Sequence, residues 1–219
     1  MSRTAPRIES LMMKGPAGAL EGILKLPAAE IRLSALLCHP HPLFQGSMHS
    51  PVIFRAARAL HRWNYATLRF NFRGVGRSAG SHDGGGGERE DVLAALATLS
   101  GKTPGIPVTL LGYSFGSRVG FEAAAADPRV ERLIGIGMPV ALGAFDFLKG
   151  IGKSLLVVQG ERDEFGALPA VERLVREMGP RSRLIAIPGA DHYFSGQLSR
   201  LEESIYAALD EGSLSGTLP

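Results

Sequence analysis

Residues 110–120 read LLGYSFGSRVG, and this stretch decides the architecture. The apolar run that begins at Val108 reaches Gly112 with no intervening loop, and Ser114 is followed by FEAAAA (121–126), where alanine favours helix. A strand that turns so abruptly into a helix exposes the serine hydroxyl between them and aims the helix N-terminus at it. Gly112 and Gly116 leave room for that turn. GxSxG is the signature of a serine nucleophile, but it is weak by itself in a chain with 28 glycines in 219 residues.

A second match shows why context matters. In RFNFRGVGRSAG (69–80), Gly76, Ser78 and Gly80 also fit GxSxG, while Gly74, Gly76 and Ala79 fit the GxGxxG/A dinucleotide fingerprint. Ser78 lies well beyond Phe72, the last strand-like residue, and the SHDGGGG that follows cannot open a helix there. A dinucleotide site needs a helix at the glycine loop and an acidic residue at the next strand end, about 20 residues on. Gly84 to Gly87 delay the helix to residue 88, and Glu90 and Asp91 fall inside it. The stretch therefore reads as a turning loop that Arg73 anchors by hydrogen bonds.

Around these motifs, short β-leaning runs alternate with longer Ala/Leu/Arg segments of helical period, the pattern of parallel βαβ construction. RIESLMMKG (7–15) and GALEGILKL (18–26) read as an antiparallel hairpin at a sheet edge. Strands are predicted at 31–40, 65–72, 107–112, 131–138, 154–160 and 182–189. Helices are predicted from Ser50, where Pro51 suits the first turn, over 88–99, 115–126 and 168–178, and in a last segment ending near Leu209. Leu198, Leu201, Ile205, Ala208 and Leu209 form a core-facing stripe on that last helix. The expectation is an α/β chain, one domain over 1–219, with a mostly parallel sheet of about eight strands and helices on both faces. Gly84 to Gly87 reads as a flexible surface loop.

Composition narrows the function classes. Hydrophobic residues make up 45% and charged residues 21%, with no ground for disorder. The net charge of +3 is spread without a basic run, which argues against a nucleic-acid partner. Cys38 is the single cysteine, which excludes an intrachain disulfide and fits a reducing compartment. MSRTAPRIESLMMKG (1–15) lacks the apolar region of a secretion signal, and no apolar run approaches a membrane span, so a cytoplasmic chain with no membrane partner is expected. Oligomeric state leaves no mark in these residues.

A serine nucleophile needs a base to take its proton, and the base needs a carboxylate to fix its tautomer. One known order, serine then acid then histidine, places the last two on loops at strand C-terminal ends. After SLLVVQG (154–160), Glu161, Asp163 and Glu164 are candidate acids. Asp163 fits best, being far enough from Gly160 to leave the strand and turn back. After SRLIAIPG (182–189) comes ADHYF, giving His192 as the base. One helix and one strand between these loops bring them side by side.

With these residues in place the chain resembles the α/β-hydrolases. HPHPLFQGSM (39–48), LRFNFRGVGRS (68–78), GYSFG (112–116), GERD (160–163) and GADHYF (189–194), in that order, are similar to those of small bacterial members without a cap, and the likeness spans Ala19 to Leu209. The resemblance implies an α/β-hydrolase fold, and NFRGVGRS resembles a DxRGxGxS loop with Asn71 in the aspartate position. It also implies two backbone N–H donors for a developing oxyanion, one after the nucleophile and one from the loop after the third strand. Phe115 supplies the first. Pro40 and Pro42 have no N–H, which leaves His41, Leu43 and Phe44 for the second. Likeness to an HG-x segment, with Pro42 in place of the glycine, implies Leu43.

His39 and His41 form an HxH pair, but His49, His61, His82 and His192 show no companion ligand spacing, so neither metal nor cofactor is expected. Only ALGAFDFLKGIGK (141–153) separates Val140 from Ser154, room for one short helix and no cap domain. The site is expected to be open, with His41, Phe44, Tyr113, Phe145 and Phe194 as pocket candidates. The expected activity is cleavage of small ester-type substrates through an acyl-enzyme. A thioesterase or peptidase could use the same groups, and a non-catalytic binding protein could use the same fold.

Overall fold

The computed structural model describes residues 5–124, 127–143 and 145–210. The chain opens with the hairpin β1 (Arg7–Gly15) and β2 (Gly18–Leu26), paired from Arg7 opposite Leu26 to Gly15 opposite Gly18. Six further strands follow: β3 (Ser34–Cys38), β4 (Ala66–Phe70), β5 (Val108–Tyr113), β6 (Val130–Ile136), β7 (Ser154–Gly160) and β8 (Ser182–Ile187). They form one eight-stranded sheet of order β1-β2-β4-β3-β5-β6-β7-β8. The β1/β2 and β2/β4 pairings are antiparallel and the rest parallel. This is an α/β-hydrolase fold, and among the described residues no cap is inserted.

Among the described residues five α-helices cover the sheet: α1 (Pro51–Arg62), α2 (Gly86–Lys102), α3 (Phe115–Ala124), α4 (Leu168–Met178) and α5 (Leu198–Asp210). Successive strand residues serve opposite faces, as the period of two requires. Leu36, Leu110, Leu155 and Val157 pack with α2, α3 and α4, whereas Leu37, Leu111, Leu156 and Val158 pack with α1 and α5. Strands covered on both sides must be apolar throughout, which is why β3, β5 and β7 read as continuous hydrophobic runs rather than alternating ones. From β3 the chain moves to β4 on one side and then to β5 on the other. In an open α/β sheet, such a reversal opens a crevice at the strand C-terminal ends.

Several boundaries differ from the sequence expectation for identifiable reasons. β4 stops at Phe70: the Asn71 N–H still bonds the Glu21 carbonyl of β2, but the Phe72 N–H is taken by the His39 ring. β6 stops at Ile136 because Gly137 turns with φ 52° and Met138 donates to Gln159 Oε1. The predicted 115–126 helix is described as far as Ala124; 125–126 lie outside the described residues. The glycine run is not a free loop. Gly86 and Gly87 form the first turn of α2, and Glu88 caps it by accepting from Gly85 N at 2.8 Å.

Gly87 has a further reason to lack a side chain, since a Cβ there would lie 1.7 Å from Arg73 Nη1. The guanidinium fills that space. Arg73 Nε and Nη2 form a bidentate pair with Asp91 at 3.1 and 2.9 Å, its backbone N–H donates to the same carboxylate at 2.9 Å, and Nη2 reaches Gly87 O at 2.6 Å. Asp91 is fully buried, so the loop after β4 is bolted to α2 through an enclosed ion pair.

Candidate active site

Ser114 sits in the turn between β5 and α3 with φ 54°, a left-handed conformation that non-glycine residues rarely adopt. The turn is held at backbone level. Ser114 N donates to Ile136 O at 3.0 Å, and Ser117 donates from N and Oγ to Ser114 O at 2.9 and 2.7 Å. A Cβ on Gly112 would lie 2.4 Å from Ser117 Cα, and one on Gly116 would lie 2.3 Å from Cys38 O. The two glycines thus let α3 press directly on β5 and on the end of β3.

Two loops converge on the serine. His192, in the loop after β8, places Nε2 3.0 Å from Ser114 Oγ and Nδ1 2.8 Å from Asp163 Oδ2. Asp163, after β7, is buried but fully partnered: Oδ1 accepts from Phe165 N and Gly166 N at 2.9 and 3.1 Å, and Oδ2 also accepts from Gln159 Nε2 at 2.8 Å. Such bonds fix the carboxylate and keep its position independent of solvent. The alternative acids stay outside, Glu161 and Glu164 both being exposed. Tyr113 Oη donates to His192 O at 3.1 Å, and the Phe165 ring meets the imidazole edge-on at 4.7 Å. The histidine is therefore held at both ring and backbone. With Nδ1–H donated to Asp163, Nε2 is left free to accept the serine proton.

The loop after β3 faces the start of α3. The Leu43 N–H is donated to the His41 ring at 3.2 Å, and its exposed side chain is not part of the cavity lining. Phe44 N is also taken, by His41 O at 3.0 Å. Of the three loop donors expected, His41 N is left, on a residue that lines the cavity and packs on Phe115 at 4.7 Å between ring centroids.

Around Ser114 lies a cavity of about 830 Å³, lined among others by His41, Phe44, Tyr113, Phe165, Leu142 and Tyr193. Phe145 and Phe194 do not line it. Phe194 is fully buried among α1 and α5 residues, and Phe145 is buried beside Phe147 beneath the Arg118 guanidinium. Aromatic residues in loops serve core and cavity alike, and here packing took these two. Ser78 lies outside the cavity as well. Its buried hydroxyl donates to Asn71 O at 2.7 Å and accepts from Glu21 N at 2.9 Å, tying the 71–78 loop to β2.

The HxH pair does not converge either. His39 is buried, with Nδ1–H donating to Pro40 O at 2.6 Å and Nε2 accepting from Phe72 N at 3.0 Å. Among the described residues no group of three or more His, Cys, Asp or Glu could hold a metal ion, and no helix is long and apolar enough to cross a membrane.

Those bonds need a neutral ring, and burial pushes the His39 pKa down to about 4. Burial also pushes His61 to about 4, with the nearby Lys25 charge adding to it. Both folded values lie below the unfolded value of about 6.5, so the unfolded chain takes up protons first. This contribution to stability is complete above pH 6.5 and lost progressively as pH falls toward about 4. The thermal midpoint measured by calorimetry should fall across that interval. A midpoint that stayed level there would contradict the burial of neutral histidines.

Residues 45–210 match the family model described as "Alpha/beta hydrolase domain". An uncharacterised protein of Rickettsia prowazekii (strain Madrid E) is 32% identical over 204 residues, covering 89% of this chain and 86% of that protein. A solved alpha-beta serine hydrolase homologue from Coxiella burnetii is 35% identical with TM-score 0.86, covering 92% of this chain and 97% of its own. A serine hydrolase without lid from Xanthomonas campestris is 32% identical with TM-score 0.86, covering 97% of both chains.

Proposed function

This chain belongs to the alpha/beta hydrolase family, and from that premise we propose that it is a serine hydrolase that cleaves small ester-type substrates. The observation that carries the reading is the continuous relay from Ser114 Oγ through His192 to Asp163, at 3.0 and 2.8 Å.

In this reading Nε2 of His192 takes the Ser114 proton as Oγ attacks the carbonyl carbon. The imidazolium that forms is stabilised by Asp163, whose hydrogen bonds hold it facing Nδ1. The carbonyl oxygen becomes an oxyanion between the Phe115 and His41 N–H groups, at the N-terminal end of α3. His192 returns its proton to the departing alkoxide, leaving an acyl group on Ser114. Water then repeats the sequence with His192 as base and releases the acid. The uncapped cavity suits small or extended substrates.

A fluorophosphonate probe tests this reading, because it phosphonylates only an activated serine. One adduct is expected, mapping by peptide mass spectrometry to the tryptic peptide carrying Ser114. A folded protein that stays unlabelled at Ser114 would rule the proposal out.

A further inference from the structure

We propose that Gln159 is a positioning residue of the hydrolytic site, whose side-chain amide holds Asp163 and, by sharing its charge, sets how strongly His192 draws a proton. The inference rests on the serine hydrolase reading and goes beyond it to the strength of the base.

Gln159 lies inside β7, fully buried, where a polar side chain has to find its partners within the protein. One orientation of the amide achieves this. Met138 offers an N–H, which Oε1 accepts at 2.8 Å, so Nε2 faces the two acceptors, Asp163 Oδ2 at 2.8 Å and Gly166 O at 2.9 Å. Both amide protons are thereby used. A single side chain joins the turn after β6 to the loop after β7.

These two segments flank the imidazole. Gly137, beside Met138, comes so close to His192 that a Cβ on it would lie 3.3 Å from Nδ1 and from Cε1. Gly166, in the acid loop, packs on the same turn: a Cβ there would lie 2.1 Å from Met138 O and 2.4 Å from Gln159 Nε2. The glycines allow the close approach, and the amide bonds across it.

The chemistry follows from which oxygen the amide meets. Oδ2 also receives His192 Nδ1 at 2.8 Å, while Oδ1 is occupied by the Phe165 and Gly166 N–H groups. Donors thus fill the roughly four acceptor positions of a carboxylate and leave no place for the O–H of an acid. With the amide and the imidazole both on Oδ2, neither receives its whole charge. Removing the amide leaves His192 facing a less neutralised carboxylate, which favours the imidazolium, so the ring keeps its proton to higher pH. It also loosens the carboxylate.

Around this relay stand the Tyr113 phenol from β5, Tyr193 and Asp191 from the histidine's own loop, and Glu164 from the acid loop. Burial, and then the Asp163 charge, raises Tyr113, and the Ser195 N–H lowers Asp191, so both are moved away from the range in which an imidazole titrates.

Gln159→Met keeps most of the bulk and removes the donor. With a neutral para-nitrophenyl ester it should lower kcat about tenfold and leave KM within about twofold, the loss of one hydrogen bond to a charged group. The acid limb of its kcat/KM profile should move up by about half a pH unit. Rates are taken per folded protein, measured by near-ultraviolet circular dichroism. In an Asp163→Ala background the same substitution should cost about twofold or less, because the amide then has no carboxylate to act on. Should Gln159→Met not fold, Gln159→Asn, which retains the amide but draws it back by one methylene, carries the same comparisons.

A residue that only supports the fold acts regardless of Asp163. A kcat within about twofold of the parent, an acid limb that stays in place, or an equal loss in both backgrounds would therefore overturn the inference. The hydrolase reading survives each of these results, whereas an unlabelled Ser114 in the parent protein removes both.

Discussion

Replacing Ser114 with alanine is expected to lower kcat/KM for an activated ester by about 10⁴-fold or more, with no loss of thermal stability. The hydroxyl meets the His192 Nε2 and stands at the tip of the β5–α3 turn. Its removal leaves the proposed oxyanion donors and the binding surface untouched, so what remains measures their share alone. Ser78→Ala is the informative control, since it carries the second GxSxG match. Losing its two buried hydrogen bonds should cost about 1–3 kcal/mol of stability and leave turnover within a few-fold of the parent. Comparable activity in Ser114→Ala and the parent would remove Ser114 from the mechanism.

The second large effect concerns stability. Arg73→Met should destabilise the protein by about 3–5 kcal/mol, because Asp91 is then left buried and charged without its partner. For a chain of this size that corresponds to a fall of roughly 10 °C in the thermal midpoint. The double variant Arg73→Met with Asp91→Leu should recover much of the loss, since removing both charges ends the desolvation penalty. Additive losses in the double variant would show that the pair is not coupled and that the loop after β4 is held by other contacts.

How far these features are legible in sequence depends on what kind of interaction makes them. The hairpin, β7 and α4 fall at their predicted bounds, because apolar period and turn residues are local signals. Ser114, Asp163 and His192 can be named from strand ends and chain order, since each lies in the loop or turn that follows a strand. Gln159 is a different case. A polar residue inside a strand reads as a solvent-facing position, and nothing local reveals that it is buried and holds Asp163 and Gly166. Leu43 was the residue implied for the second oxyanion donor, and no sequence pattern reports that a ring two residues earlier takes its N–H. Phe145 and Phe194 likewise depend on which neighbour claims an aromatic ring, a question that only the packed structure answers. Arg118 and Glu122 stand four residues apart on α3, a spacing the helical period shows, but that Arg89 joins them from α2 lies beyond any single helical period.

The contact of Gly116 with the end of β3 bears on how such a protein can change over generations. The His41 and Phe115 amides are spaced by main chain resting on main chain, beside the contact between their two rings. Leu142, Tyr193 and Arg89 stand on other segments of the cavity wall and take no part in that contact. Selection can therefore reshape which molecules enter while the reactive geometry stays fixed, so drift in substrate range and loss of chemistry become separate evolutionary events.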